Sequence, residues 1–137
     1  MRPAAILESA LYVNDLPAAE AFYRDALGLE PITNMAGRHA FFRCGEGVLL
    51  LFNPDATAVP PPPSSPLPVP AHGAHGPGHL CFAAGGAEID AWRSRLEAQG
   101  VVIEADFRWP NGARSIYFRD PSGNSIEFAE PSIWARP

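Results

Sequence analysis

The chain carries its own pattern twice. Residues 5–13 read as a strand, 16–27 as an amphipathic helix, and about 29–33, 38–44 and 47–53 as three more strands. From Gly78 the order returns: a strand at 78–83, a helix over 87–99, and strands at about 101–105, 113–119 and 125–130. Each copy is a four-stranded sheet with one helix, which covers one face and leaves the other to be covered. The expected fold class is therefore α+β, two βαβββ modules forming a U-shaped mixed sheet around a central cavity. The expected organisation is a single domain over 1–137, made of module 5–53, a proline-rich linker 54–78 and module 79–131.

Local signals support each element. In the first strand Leu7, Leu11 and Val13 fall on one face and Glu8, Ala10 and Tyr12 on the other. Asn14-Asp15 caps the first helix, Pro17 sits in its first turn, Leu16, Ala19, Phe22, Tyr23, Ala26 and Leu27 keep helical spacing, and Gly28 stops it. The second helix turns Ile89, Trp92 and Leu96 inward and ends at Gly100. The last two strands form a hairpin through Asp120-Pro121-Ser122-Gly123-Asn124, residues suited to a tight turn. Eight of the sixteen prolines lie between Pro60 and Pro77, an extended, partly polyproline II stretch that is either disordered or draped over the surface.

Composition narrows the function. A net charge of −5 with a pI near 5.2 argues against nucleic acid or an anionic membrane as partner. No stretch has the length of an apolar membrane span and the N-terminus lacks a secretory signal, so a cytoplasmic location is expected. Cys44 and Cys81 are expected as two buried thiols rather than a disulfide. All ten basic residues are arginine, which excludes a lysine Schiff base and a phosphate-gripping P-loop.

The duplication then points to chemistry. Glu8 and His79 occupy the same place in the two copies, each three residues before an apolar anchor, Leu11 or Phe82. Glu127 stands alone as a carboxylate between Ile126 and Phe128 in the last strand; its counterpart in the first copy is Leu50 or Leu51. All three face away from the apolar stripe, with Ala10, Tyr12, Cys81, Ser115 and Tyr117. One imidazole and two carboxylates make a hard donor set suited to Fe²⁺, Mn²⁺, Ni²⁺, Co²⁺ or Mg²⁺, with Zn²⁺ also accepted. His39 shares a face with Phe41 and is read first as a satisfied or exposed histidine. His72 and His75 are read first as solvated linker residues, with a linker that closes over the cavity and brings one of them near as the alternative, Arg114 as a turn arginine or an anion holder, and Trp109 and Trp134 as packing or interface residues.

Leu11-Tyr-Val-Asn-Asp-Leu-Pro-Ala-Ala-Glu-Ala-Phe-Tyr-Arg-Asp-Ala-Leu-Gly-Leu29 resembles the opening signature of the vicinal oxygen chelate superfamily (glyoxalases, bleomycin-resistance proteins, fosfomycin thiol transferases and extradiol dioxygenases). Tyr117-Phe-Arg-Asp-Pro-Ser-Gly-Asn-Ser-Ile-Glu127 resembles its closing hairpin and Gly78-His79 its second opening strand. The resemblance implies a glyoxalase-like fold, one divalent metal ion held by Glu8, His79 and Glu127, a small-molecule substrate and a homodimer. It implies Glu127, Glu8 and Tyr117 as catalytic residues, with Tyr12, Ser115, Tyr117, Phe41 and Arg114 in contact with substrate. Lyase or isomerase, dioxygenase and thiol-transferase chemistry all stay open, with metal-free sequestration of the bleomycin-resistance type as the alternative. The fourth ligand typical of glyoxalase I has no counterpart at Leu50 or Leu51.

Overall fold

The computed structural model describes all residues 1–137. The chain divides into two compact units, Met1–Gly76 and Pro77–Pro137, each holding one βαβββ module.

In the first unit β1 (Glu8–Tyr12) leads into helix α1 (Leu16–Ala21), which continues as a π-helical turn over Phe22–Ala26. The Asp15 carboxylate accepts from the Ala18 amide at 3.0 Å, so the predicted cap is in place. Strands β2 (Glu30–Met35), β3 (His39–Cys44) and β4 (Gly47–Phe52) complete a sheet of order β1-β4-β3-β2. β1 runs parallel to β4, which requires the helical crossover between them. Leu11, Leu16, Ala19, Tyr23, Phe42, Leu49 and Leu51 form the core under α1. Each such large apolar side chain contributes about 1.5–3 kcal/mol by burial.

The proline-rich segment has structure. It opens as a short helix α2 (Pro54–Thr57), capped by Asn53, with Pro54 and Thr57 buried. It then returns to its own module: the His72 amide donates to the Thr57 carbonyl at 3.0 Å, and the His72 ring meets Phe52 edge-on at 4.7 Å. Its Nδ1 lies 2.7 Å from the Tyr12 hydroxyl. His72, expected in solvent, is thus seated on the sheet face that α1 leaves uncovered. A Cβ at Gly73 would stand 3.0 Å from the Pro54 carbonyl oxygen, so glycine permits that close return.

In the second unit β5 (His79–Ala83), α3 (Gly86–Ala98), β6 (Ala105–Arg108), β7 (Arg114–Arg119) and β8 (Ser125–Ala129) build a sheet of order β5-β8-β7-β6, followed by a 3-10 turn over Pro131–Trp134. Ile89, Leu96, Ile116, Phe118, Ile126 and Phe128 form its core, and Trp92 stacks on Phe128 with centroids 4.6 Å apart. The strand expected at about 101–105 lies instead at Ala105–Arg108. Val101 is spent on closing α3, its amide donating to the Leu96 carbonyl, and the apolar run Val101-Val-Ile103 supplies no edge pairing.

The closing hairpin is tied down at its turn. The Asp120 carboxylate accepts from the amides of Ser122 and Asn124, each at 2.9 Å, and Gly123 takes φ +82°. Asn124, 1% exposed, accepts from the Gly78 amide at 2.7 Å through its side-chain oxygen. The turn thereby anchors the start of β5 and with it His79.

Candidate functional site

Strand parity sets which side chains meet. β5 pairs in parallel with β8, and Cys81 stands opposite Glu127; β7 pairs antiparallel with β8, and Tyr117 stands opposite the same glutamate. In the first unit Ala10 stands opposite Leu50, and Phe41 opposite Leu50. The register therefore assigns Leu50, not Leu51, as the counterpart of Glu127.

Glu127 is 4% exposed. Burying a carboxylate is costly unless its oxygens are paired, and both are. The Ser115 hydroxyl donates to Oε1 at 2.6 Å, and His79 Nε2 lies 3.2 Å from Oε2. His79 Nδ1 lies 3.0 Å from the Ser125 carbonyl oxygen. A carbonyl only accepts, so Nδ1 carries the hydrogen and Nε2 is directed at the carboxylate. A bare Nε2 lone pair facing an ionised carboxylate at that distance is repulsive. A proton lying between the two atoms, or a cation bound to both, satisfies the contact. An imidazole nitrogen and a carboxylate oxygen, each fixed through its other polar atom, fit a divalent metal ion. No group of three or more His, Cys, Asp or Glu side chains is assembled to hold one.

The pair stands at the edge of a cavity of about 500 Å³ lined also by Tyr117, Trp109, Ile133 and Trp134. Tyr117 stacks on Phe107 (5.8 Å, 4° between planes) and on His79 (6.1 Å, 19°). Its phenol is pushed up to about 12 by burial and the adjacent Glu127 carboxylate, so it keeps its proton at neutral pH. Both cysteines are free thiols, but neither is buried as expected: Cys44 is half-buried and Cys81 exposed, the Cys81 thiol being pushed up to about 12 by partial loss of water and the same carboxylate. Asn111 donates to the Ser132 carbonyl at 3.0 Å and ties the β6–β7 loop to the 3-10 turn, fixing that wall.

The predicted residues thus fall into three places. His79, Glu127, Ser115 and Tyr117 come together in the second unit. Glu8, Tyr12 and Phe41 belong to the first. There Phe41 stacks on His39 at 4.1 Å, and the Tyr12 hydroxyl is engaged by His72. Arg114 points to the helical side of its sheet, where its guanidinium bonds Asp106 at 2.9 Å and Asp90 at 2.5 Å. Trp109, read from sequence as packing, reaches into the site: its indole N–H donates to Ser115 Oγ at 2.8 Å. With β6 at Ala105–Arg108, Phe107 pairs with Ser115 and brings Trp109 to that face. Misplacing the strand hid that link.

The family model for the Glyoxalase/Bleomycin resistance protein/Dioxygenase superfamily matches residues 5–128. The chain belongs to that superfamily. Among solved structures it is similar to a lactoylglutathione lyase from Agrobacterium tumefaciens, at 47% identity and TM-score 0.93, covering 99% of this chain and 100% of that one. A glyoxalase/bleomycin resistance protein/dioxygenase from Nocardioides matches at 27% identity and TM-score 0.71, covering 95% and 84% of the two chains. An integron cassette protein from V. cholerae matches at 26% identity and TM-score 0.70, covering 96% and 98%. No curated protein sequence matches significantly. Two βαβββ modules are the glyoxalase-like architecture, as the repeat anticipates. No helix of this superfamily member is long and apolar enough to cross a membrane.

Proposed function

We propose that this glyoxalase-superfamily chain is a divalent-metal-dependent enzyme acting on an oxygenated small molecule, with lyase or isomerase chemistry foremost. The observation that carries this reading is the His79 Nε2–Glu127 Oε2 pair, 3.2 Å apart at the cavity edge with both partner atoms internally tied. Glu8 holds in the first module the place that His79 holds in the second. Bound there, the ion supplies Lewis-acid stabilisation of negative charge developing on substrate oxygens. Tyr117, protonated at neutral pH, donates a hydrogen bond to those oxygens. Glu127, buried and held by Ser115, keeps its place as a donor. Trp109, Ile133 and Trp134 present an apolar wall that suits a substrate with an apolar body. The 47% identity to a structure named lactoylglutathione lyase supports the lyase class; Leu50, where a fourth ligand stands in glyoxalase I, separates this site from that one.

The test is elemental analysis of protein purified without a metal-binding tag, followed by reconstitution with Mn²⁺, Fe²⁺, Co²⁺, Ni²⁺, Zn²⁺ or Mg²⁺ and assay for lactoylglutathione lyase, dioxygenase and thiol-transferase activity. Metal-dependent turnover lost in His79→Ala supports the reading; turnover unchanged by metal removal or by that variant defeats it. A second reading, metal-free sequestration of an aromatic ligand, is favoured by the aromatic lining and the absence of three converging donors. In it a proton lying between His79 Nε2 and Glu127 Oε2 replaces the metal. It predicts ligand binding by metal-free protein and no turnover with any ion. We further propose a cytoplasmic homodimer, in line with the family resemblance.

A further inference from the structure

We propose that Trp109 and Ser115 are positioning residues that hold Glu127 as a one-oxygen metal donor and couple it to the cavity wall. The proposal rests on the metal reading above. The two ends set the hydrogen-bond direction, and the Tyr117 phenol reaches the same serine and glutamate from beside them. The indole N–H of Trp109 only donates, so Ser115 Oγ accepts from it at 2.8 Å. The single hydroxyl hydrogen of Ser115 is then free to go to Glu127 Oε1, 2.6 Å away, since an ionised carboxylate only accepts. Ser115 is wholly buried, so no water competes for either bond. Each bond polarises the next in the same sense, Trp109 to Ser115 to Glu127. With Oε1 engaged, Oε2 is the oxygen presented beside His79 Nε2. Trp109 also lines the cavity that Glu127 borders. A ligand pressing on its ring therefore reaches the donor carboxylate through two hydrogen bonds.

The experiment is a calorimetric Mn²⁺ titration of the metal-stripped full chain, comparing wild type with Ser115→Ala, Ser115→Thr and Trp109→Phe. Thermal melts accompany each variant. Outer-shell partners of metal ligands typically change affinity by about 10–100-fold, and that is the loss expected for Ser115→Ala. Trp109→Phe keeps a smaller aromatic ring in the wall and removes the N–H, with an expected loss of about 3–10-fold. Ser115→Thr retains the hydroxyl and should stay within about threefold of wild type. The visible spectrum of the Co²⁺ form should shift in Ser115→Ala and not in Ser115→Thr. Should Ser115→Ala fail to fold, Trp109→Phe and Ser115→Thr decide the matter. Wild-type affinity in folded Trp109→Phe, or an equal loss in the threonine variant, overturns the relay while leaving the metal reading intact. Failure of the wild-type chain to take up Mn²⁺ and, in the same titration, each of Fe²⁺, Co²⁺, Ni²⁺, Zn²⁺ and Mg²⁺ overturns both.

Discussion

Glu127 shows how one residue is both exposed to reading and concealed by context. A carboxylate between Ile126 and Phe128 stands out in the sequence, and strand parity assigns its face. Its partners Ser115 and Tyr117 follow from the same alternation one strand away. Arg114, expected to contact substrate, instead alternates with Ser115 onto the helical face and is taken up by Asp106 and Asp90. The role of Trp109 was not legible, because it depends on where β6 lies. At this scale Tyr117→Phe should lower kcat by about 10²-fold with little change in KM, the signature of a donor acting in the transition state. Steady-state kinetics of the metal-loaded enzyme checks it. The phenol also sets a pH limit. Folded Tyr117 holds its proton up to about 12 against 10.0 for an ordinary tyrosine. Across that interval the unfolded chain gives up the proton first, so stability falls as pH rises from about 10 to about 12. Urea unfolding along this range should show a shallower decline in Tyr117→Phe.

Among the elements, the closing hairpin was the most readable and β6 the least. Asp120-Pro-Ser-Gly-Asn124 announces its turn through backbone preferences that hold locally. Asn124 does more than turn the chain: its bond to Gly78 spans 46 positions, which no local pattern reveals. Replacing Asn124 by Ala removes that bond and also leaves the buried Asp120 carboxylate without the Asn124 amide that donates to it at 2.9 Å, and a loss of about 1–3 kcal/mol is expected. A lowered urea midpoint with an unchanged m-value checks it. β6 was misplaced because Val101-Val-Ile103 has the composition of a strand, while pairing with β7 begins at Ala105 opposite Tyr117. The ambiguity between Leu50 and Leu51 had the same origin. Turn length cannot be read from side chains, whereas the Ala10–Leu50 and Cys81–Glu127 registers resolve it.

For the molecule as a whole, the internal repeat conveyed most of the fold, since a βαβββ unit read twice leaves few ways to place eight strands. The two copies have diverged in chemistry. The second carries His79, Glu127 and a cavity. In the first, Leu50 replaces the acid, and Tyr12, Phe41 and Phe52 form an aromatic face that His72 covers. The ion-pair network of Asp106 with Arg114 and Arg93 joins β6, β7 and α3 of the second module. The two guanidinium groups bring the Asp106 carboxyl to about 2 from 3.8. As pH falls the unfolded chain protonates first, so this support is complete above about pH 4 and lost on descent through about pH 2. Acid unfolding of Asp106→Asn should be correspondingly less steep in that window.

The central claim is that His79 and Glu127 together bind a divalent ion. Metal content per chain, measured on untagged protein beside the His79→Ala/Glu127→Gln double variant, tests it most directly. About one divalent ion per wild-type chain and loss of it in the folded double variant is the predicted result. A wild-type chain without stoichiometric metal, or a double variant that retains it, would contradict the account.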